Sequence, residues 1–260
     1  MPLIEVDGYQ LNVEVEGPAN APALMLSNSL GTTLQMWDPQ VNPFTEHFRL
    51  IRYDRRGHGK SAVPPGPYSM ERLGRDVLGI LDRLGIEKID WCGLSMGGMV
   101  GQWLGANAPD RVRRLVLSST SCYYPVKEPW NERIALVRQN GVASLADAMM
   151  LRWFTKGFIE QEPAAVARVK AMMVTTPDAG FIANCEAVRD MDHRDILARI
   201  KAPTLIIAGR HDVATPVEAG EYIRSHIPGA ALTILDAGHI SNVEQASDFT
   251  AEVLGFLTSK

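Results

Sequence analysis

The sequence predicts an α/β fold: a mostly parallel sheet with an antiparallel N-terminal hairpin and a helical insertion lying over it as a cap. Three observations lead there. Short apolar runs alternate with segments of helical period along most of the chain. An Asp-Gly dipeptide separates two alternating runs near the start. Residues 122–199 carry helical patterns and no convincing strand runs. Strands alternating with helices imply parallel βαβ units with right-handed crossovers. At 260 residues, 46% hydrophobic and 22% charged, the chain can bury one large core of this kind.

The elements follow in order. Residues 3–6 and 9–15 flank Asp7-Gly8, which enters the positive-φ geometry of a tight turn at little cost. The next strands are Ala23-Leu24-Met25-Leu26 and Arg49-Leu50-Ile51-Arg52-Tyr53. A helix over 70–84 sets Leu73, Val77, Leu78, Leu81 and Leu84 on one face. Ile89-Asp90-Trp91-Cys92 precedes a helix over 97–107, and Leu115-Val116-Leu117 comes next. Beyond the insertion lie a strand at 204–208, a helix over 216–226 with Pro216 at its first position, a strand at 231–235, and a closing helix over 243–257. The core is therefore expected over 1–121 and 200–260, with the cap at 122–199. The cap is rich in Met and carries Trp130 and Trp153; it would cover the carboxyl ends of the strands, where such sheets hold ligands. An independent helical domain is the alternative organisation.

A formal net charge of −4 gives no general attraction to nucleic acid or an anionic membrane. The start, Met1-Pro2-Leu3-Ile4-Glu5, lacks the basic flank and apolar run of a secretory leader, and no run is long enough to cross a bilayer. Cys92, Cys122 and Cys185 are odd in number and widely spaced, which reads as reduced thiols in a cytoplasmic protein without a metal site or cofactor. A homo-oligomer is compatible with the sequence.

Chemistry concentrates at Gly93-Leu94-Ser95-Met96-Gly97. This G-x-S-x-G run follows a strand and precedes a helix, the setting of a nucleophile elbow. A serine at so sharp a turn sits in strained backbone, so its neighbours must be small, and Gly93, Gly97 and Gly98 supply the room. A serine hydroxyl needs a base oriented by a third group, and behind such an elbow the chain order is serine, acid, histidine. Of the six histidines, only His226 and His239 follow the loop Gly209-Arg210-His211-Asp212 that leaves the strand at 204–208. His226 ends a helix of surface pattern; His239 lies in the loop past the last strand, at the same edge as Ser95. Asp212 projects from the loop after 204–208 and is the expected acid. Asp236 competes, but it stands three residues before His239 and is better suited to shaping that loop. Asp54-Arg55-Arg56-Gly57-His58-Gly59-Lys60-Ser61 lacks phosphate-loop spacing and reads as a structural turn bordering the site.

Together these motifs resemble the α/β-hydrolase superfamily over nearly the whole chain. Within it, Leu26-Ser27-Asn28-Ser29-Leu30-Gly31, Tyr53-Asp54-Arg55-Arg56-Gly57-His58-Gly59 and Trp130-Asn131-Glu132-Arg133 are similar to the 3-oxoadipate enol-lactonases of aromatic-compound breakdown. The resemblance implies an oxyanion hole built from the N–H groups of Met96 and, by position, Leu30. Asn28 either braces that loop or touches substrate. The implied substrate is a small anionic lactone, so a cation is expected in the pocket. Residues 122–200 hold ten Lys or Arg against ten Asp or Glu, so a single placed arginine must serve. Arg133 and Arg138 are the candidates, with Trp130 and Trp153 as apolar walls. The competing functions are another carboxylesterase or carbon–carbon hydrolase of the same fold, and a receptor that binds without turnover. Dehalogenase and epoxide hydrolase chemistry is disfavoured, since both use aspartate where Ser95 stands.

Overall fold

A computed structural model describes residues 3–259; Met1 and Pro2, which begin the N-terminal stretch read above, lie outside it, as does Lys260. Eight strands form one sheet: β1 (Leu3–Val6), β2 (Tyr9–Glu16), β3 (Ala23–Ser27), β4 (Arg49–Tyr53), β5 (Ile89–Leu94), β6 (Val112–Ser118), β7 (Thr204–Gly209) and β8 (Ala231–Leu235). Their order is β1-β2-β4-β3-β5-β6-β7-β8. The first two pairings are antiparallel and the rest parallel. The hairpin turn puts both Asp7 (φ 49°) and Gly8 (φ 79°) in the left-handed region, as a two-residue turn matching strand twist requires.

Every residue of β3, β5 and β7 is buried, the mark of parallel strands covered by helices on both faces. On that sheet the chain runs outward from β3 to β4, then returns to place β5 on the other side of β3. The carboxyl ends of β3 and β5 therefore flank a topological switch point, where an open α/β sheet leaves a crevice. Ser27, the last residue of β3, pairs with Gly93, so the loops leaving these two strands emerge side by side.

The expected helices form, with shifted ends: Met70–Arg83, Met96–Asn107 and Val217–His226. Pro216 is the cap residue of the last, extended at φ −63° and ψ 164°, rather than its first helical residue. The closing helix splits into Ser241–Glu244 and Ala246–Thr258. Between β6 and β7 the chain forms five α-helices, Glu128–Asn140, Ala146–Trp153, Lys156–Gln161, Pro163–Val174 and Asp178–Asp190. The segments that enter and leave this excursion are bridged at its base: Tyr123 pairs with Asp192, and the His193 N–H donates to the Cys122 carbonyl at 2.8 Å. Among the described residues, no helix is long and apolar enough to cross a membrane.

Candidate active site

The helix Met96–Asn107 begins directly after Ser95, which adopts φ 57° and ψ −115°. A non-glycine residue there is strained, and its surroundings must hold it. They do: the Ser95 N–H donates to the Ser118 carbonyl at 2.8 Å, and the Thr120 hydroxyl donates to the Ser95 carbonyl at 2.7 Å. The end of β6 and the residues just past it thus brace the elbow. Glycine is compulsory on either side, because a Cβ at Gly93 would lie 2.2 Å from the Gly97 carbonyl oxygen, and one at Gly97 would lie 2.1 Å from that of Ser27.

Asp212 and His239 leave β7 and β8 toward the same edge. The His239 Nδ1 lies 2.8 Å from Asp212 Oδ2, and since a carboxylate only accepts, this nitrogen carries the hydrogen and Nε2 is free as a base. The other Asp212 contacts come from the Ala214 and Thr215 N–H groups at 2.7 and 3.0 Å and the Thr215 hydroxyl at 2.7 Å. Burial pushes this carboxyl up, but the His239 partner and the Thr215 bonds outweigh it and hold Asp212 below its ordinary value. Asp236 instead pairs with His211 at 2.8 Å on the surface, and His226 ends its helix in solvent. The three cysteines are buried and free, and burial drives the Cys92 thiol upward.

The loop after β3 is clamped at both ends. The Asn28 carbonyl accepts from the Gly97 N–H at 3.1 Å and from Arg55, while the Gly31 N–H donates to His58 Nε2 at 2.8 Å. His58 can accept there because it is neutral: burial, reinforced by the charge of Arg55, lowers its pKa to about 3. Between these fixed points the Leu30 N–H meets no acceptor among the described residues. The Met96 N–H, at the first position of its helix, has no partner within the helix either. These are the two donors expected from the sequence. Asp54 ties the 54–61 turn to its neighbours, accepting from the Leu34 N–H and the Asn12 amide at 2.8 Å each, so the turn is structural, as expected.

A cavity of about 210 Å³ opens at this edge, lined in part by Ser95, His239, Leu30, Trp130, Arg133 and Trp153. Tyr124, Met149, Phe181 and Arg152 line it as well. Two expected binding residues do not reach it. Arg138 is exposed and paired with Glu186 at 3.4 Å, and Asn28 is buried beneath the loop, its amide turned to the Thr32 carbonyl at 3.3 Å. The reason for the first is geometric: residues five apart on the helix Glu128–Asn140 point about 140° apart, so Arg133 and Arg138 cannot share a target. The Asn28 amide braces the loop after β3.

Arg152 belongs to no motif that marks it in the sequence, although it stands beside Trp153. Arg133 stacks on Trp130 at 4.4 Å, Arg152 donates to the Val213 carbonyl at 3.3 Å, and neither has an acidic partner among the described residues. Burial, with the charge of Arg152 adding to it, holds the Arg133 guanidinium below its ordinary value. A larger cleft of about 820 Å³, between the helix Pro163–Val174 and the segment around Met36, contains none of Ser95, Asp212 or His239. No cluster of metal-ligating side chains occurs among the described residues.

Comparison with known proteins shows the family of this fold. The profile of the alpha/beta hydrolase fold matches residues 22–246. A 3-oxoadipate enol-lactonase of Acinetobacter baylyi is 41% identical over 243 residues, covering 94% of this chain and 91% of that protein. A second enol-lactonase from the same organism is 38% identical, covering 97% and 94%. The crystal structure of the enol-lactonase from Burkholderia xenovorans superposes with a TM-score of 0.98 at 44% identity, covering 99% of this chain and 100% of that one.

Proposed function

Since the chain belongs to the α/β-hydrolase fold family, we propose that it is a serine hydrolase opening the enol-lactone of 3-oxoadipate, with Ser95 as nucleophile, His239 as base and Asp212 as its orienting acid. The observation that carries this reading is the Asp212–His239 pair at 2.8 Å, its imidazole lining one cavity with Ser95 and two arginines that lack acidic partners among the described residues.

Ser95 Oγ attacks the lactone carbonyl as His239 Nε2 takes its proton, and the new oxyanion accepts from the Leu30 and Met96 N–H groups. Collapse breaks the ring C–O bond and the enol oxygen leaves, taking the proton from His239. The leaving enol ketonises. Water, deprotonated by His239, then attacks the acyl-enzyme, and 3-oxoadipate departs from Ser95. The carboxylate that the lactone already carries sits against Arg133 and Arg152, with Trp130 and Trp153 as apolar walls. Such an enzyme works in cytoplasmic breakdown of aromatic compounds by way of protocatechuate or catechol.

Steady-state kinetics on the enol-lactone beside p-nitrophenyl acetate test the substrate. A kcat/KM at least about 100-fold higher for the lactone is expected from binding a substrate carboxylate in the transition state. A preference for the neutral ester would make the protein a general carboxylesterase instead. Failure of a fluorophosphonate to label Ser95 would favour a non-catalytic receptor.

A further inference from the structure

Glu244 ends the short helix Ser241–Glu244, and its side chain is buried. It has no Lys, Arg or His partner among the described residues, an unfavourable situation for a carboxylate unless its oxygens are fully hydrogen-bonded. The donors that satisfy it come from two distant segments. The Gly238 N–H, one residue before His239, donates to Oε2 at 2.9 Å. The Thr155 N–H donates to Oε1 at 3.2 Å, and the Thr155 hydroxyl donates to the same oxygen. That hydroxyl also accepts from the Phe158 N–H at 3.3 Å, capping the cap helix Lys156–Gln161.

A second set of bonds crosses the same seam. The Trp153 carbonyl accepts from the His239 N–H at 2.8 Å and the Ile240 N–H at 3.2 Å. The two chains approach so closely that a Cβ at Gly238 would lie 2.6 Å from the Trp153 carbonyl oxygen and 3.1 Å from Glu244 Oε2. The Trp153 ring faces that of His239 at 6.2 Å and lines the cavity.

We propose that Glu244 is a positioning residue that locks the cap turn at 153–155 to the His239 loop, so that the base and the apolar wall above it hold one geometry. This rests on the serine-hydrolase reading. Without the carboxylate, the Gly238 N–H and the Thr155 N–H lose their shared acceptor and the backbone carrying His239 is released on one side. The imidazole must meet both the serine proton and the attacking water, so acylation and deacylation should slow together while ground-state binding changes little.

The test uses Glu244→Ala, Glu244→Gln and Thr155→Val in the full chain, with p-nitrophenyl acetate and a fluorophosphonate. Active sites are titrated first, so that kcat and the phosphonylation rate are expressed per functional site. Glu244→Ala should lower both on the order of tenfold, with KM changed by less than about twofold. Glu244→Gln, which keeps one acceptor oxygen, should recover part of the loss, and Thr155→Val should show the same effect more weakly. Amide hydrogen exchange at 238–240 and 153–155 should rise together in Glu244→Ala. Fewer titratable sites with a wild-type rate at each would make Glu244 merely structural and overturn the proposal. Wild-type protein that fails to label would instead overturn the hydrolase reading beneath it.

Discussion

At the scale of single residues, Asp212 offers the sharpest separation of its proposed catalytic role from its part in the fold. It is buried, its carboxyl titrates below the ordinary value, and both of its oxygens accept hydrogen bonds. A carboxyl of lowered pKa stabilises the fold above its unfolded value of about 3.9 and loses that contribution as pH falls toward its folded value. The stability difference between wild type and Asp212→Asn should therefore shrink as pH drops below about 4, measured by urea denaturation across pH. At neutral pH the same variant should lose roughly 10⁴-fold in kcat, because an amide no longer fixes the imidazole tautomer. The loops that carry Ser95, Asp212 and His239 are legible in the sequence, because the strand before each can be read locally. Arg152 and Glu244 are not. Their importance comes from the seating of cap on core, a contact between segments 89 residues apart for Thr155 and Glu244.

Among the elements, the elbow depends on space. A side chain at Gly97 would run into the backbone carbonyl of Ser27 at 2.1 Å, and β3 cannot yield without losing its pairing to β5. Gly97→Ala should cost about 2 kcal/mol or more and abolish labelling of Ser95, read from the urea midpoint and fluorophosphonate incorporation. Gly157, in the helix Lys156–Gln161 with nothing within 4 Å of its Cβ position, is the control: Gly157→Ala should be neutral or stabilise by under about 1 kcal/mol. Strands are legible where burial on both faces leaves apolar runs, as in β3 and β7. The helix Asp38–Thr45 was missed because it carries two prolines and buries only Gln40 and Phe44, so no apolar stripe announces it.

For the whole molecule, the functional question is how cap and sheet together choose a substrate. Arg133 comes from the first cap helix and Arg152 from the second, and both face the cavity over Ser95. Arg133→Met and Arg152→Met should each raise KM for the anionic lactone about tenfold while leaving KM for p-nitrophenyl acetate within about twofold. A rise for both substrates alike would mean that the change had deformed the cavity. Sequence alone exposed the α/β rhythm and the insertion that interrupts it, but the facing of the cap helices depends on packing against the sheet. The bridge between Tyr123 and Asp192 bears on how such a chain folds. Because the excursion leaves and returns at paired residues, the sheet experiences it as one closed loop. The entropy of closing a loop grows only with the logarithm of its length, so halving this one would change the closure term by about 0.6 kcal/mol. As far as closure of the sheet is concerned, the size of the cap is almost free to drift.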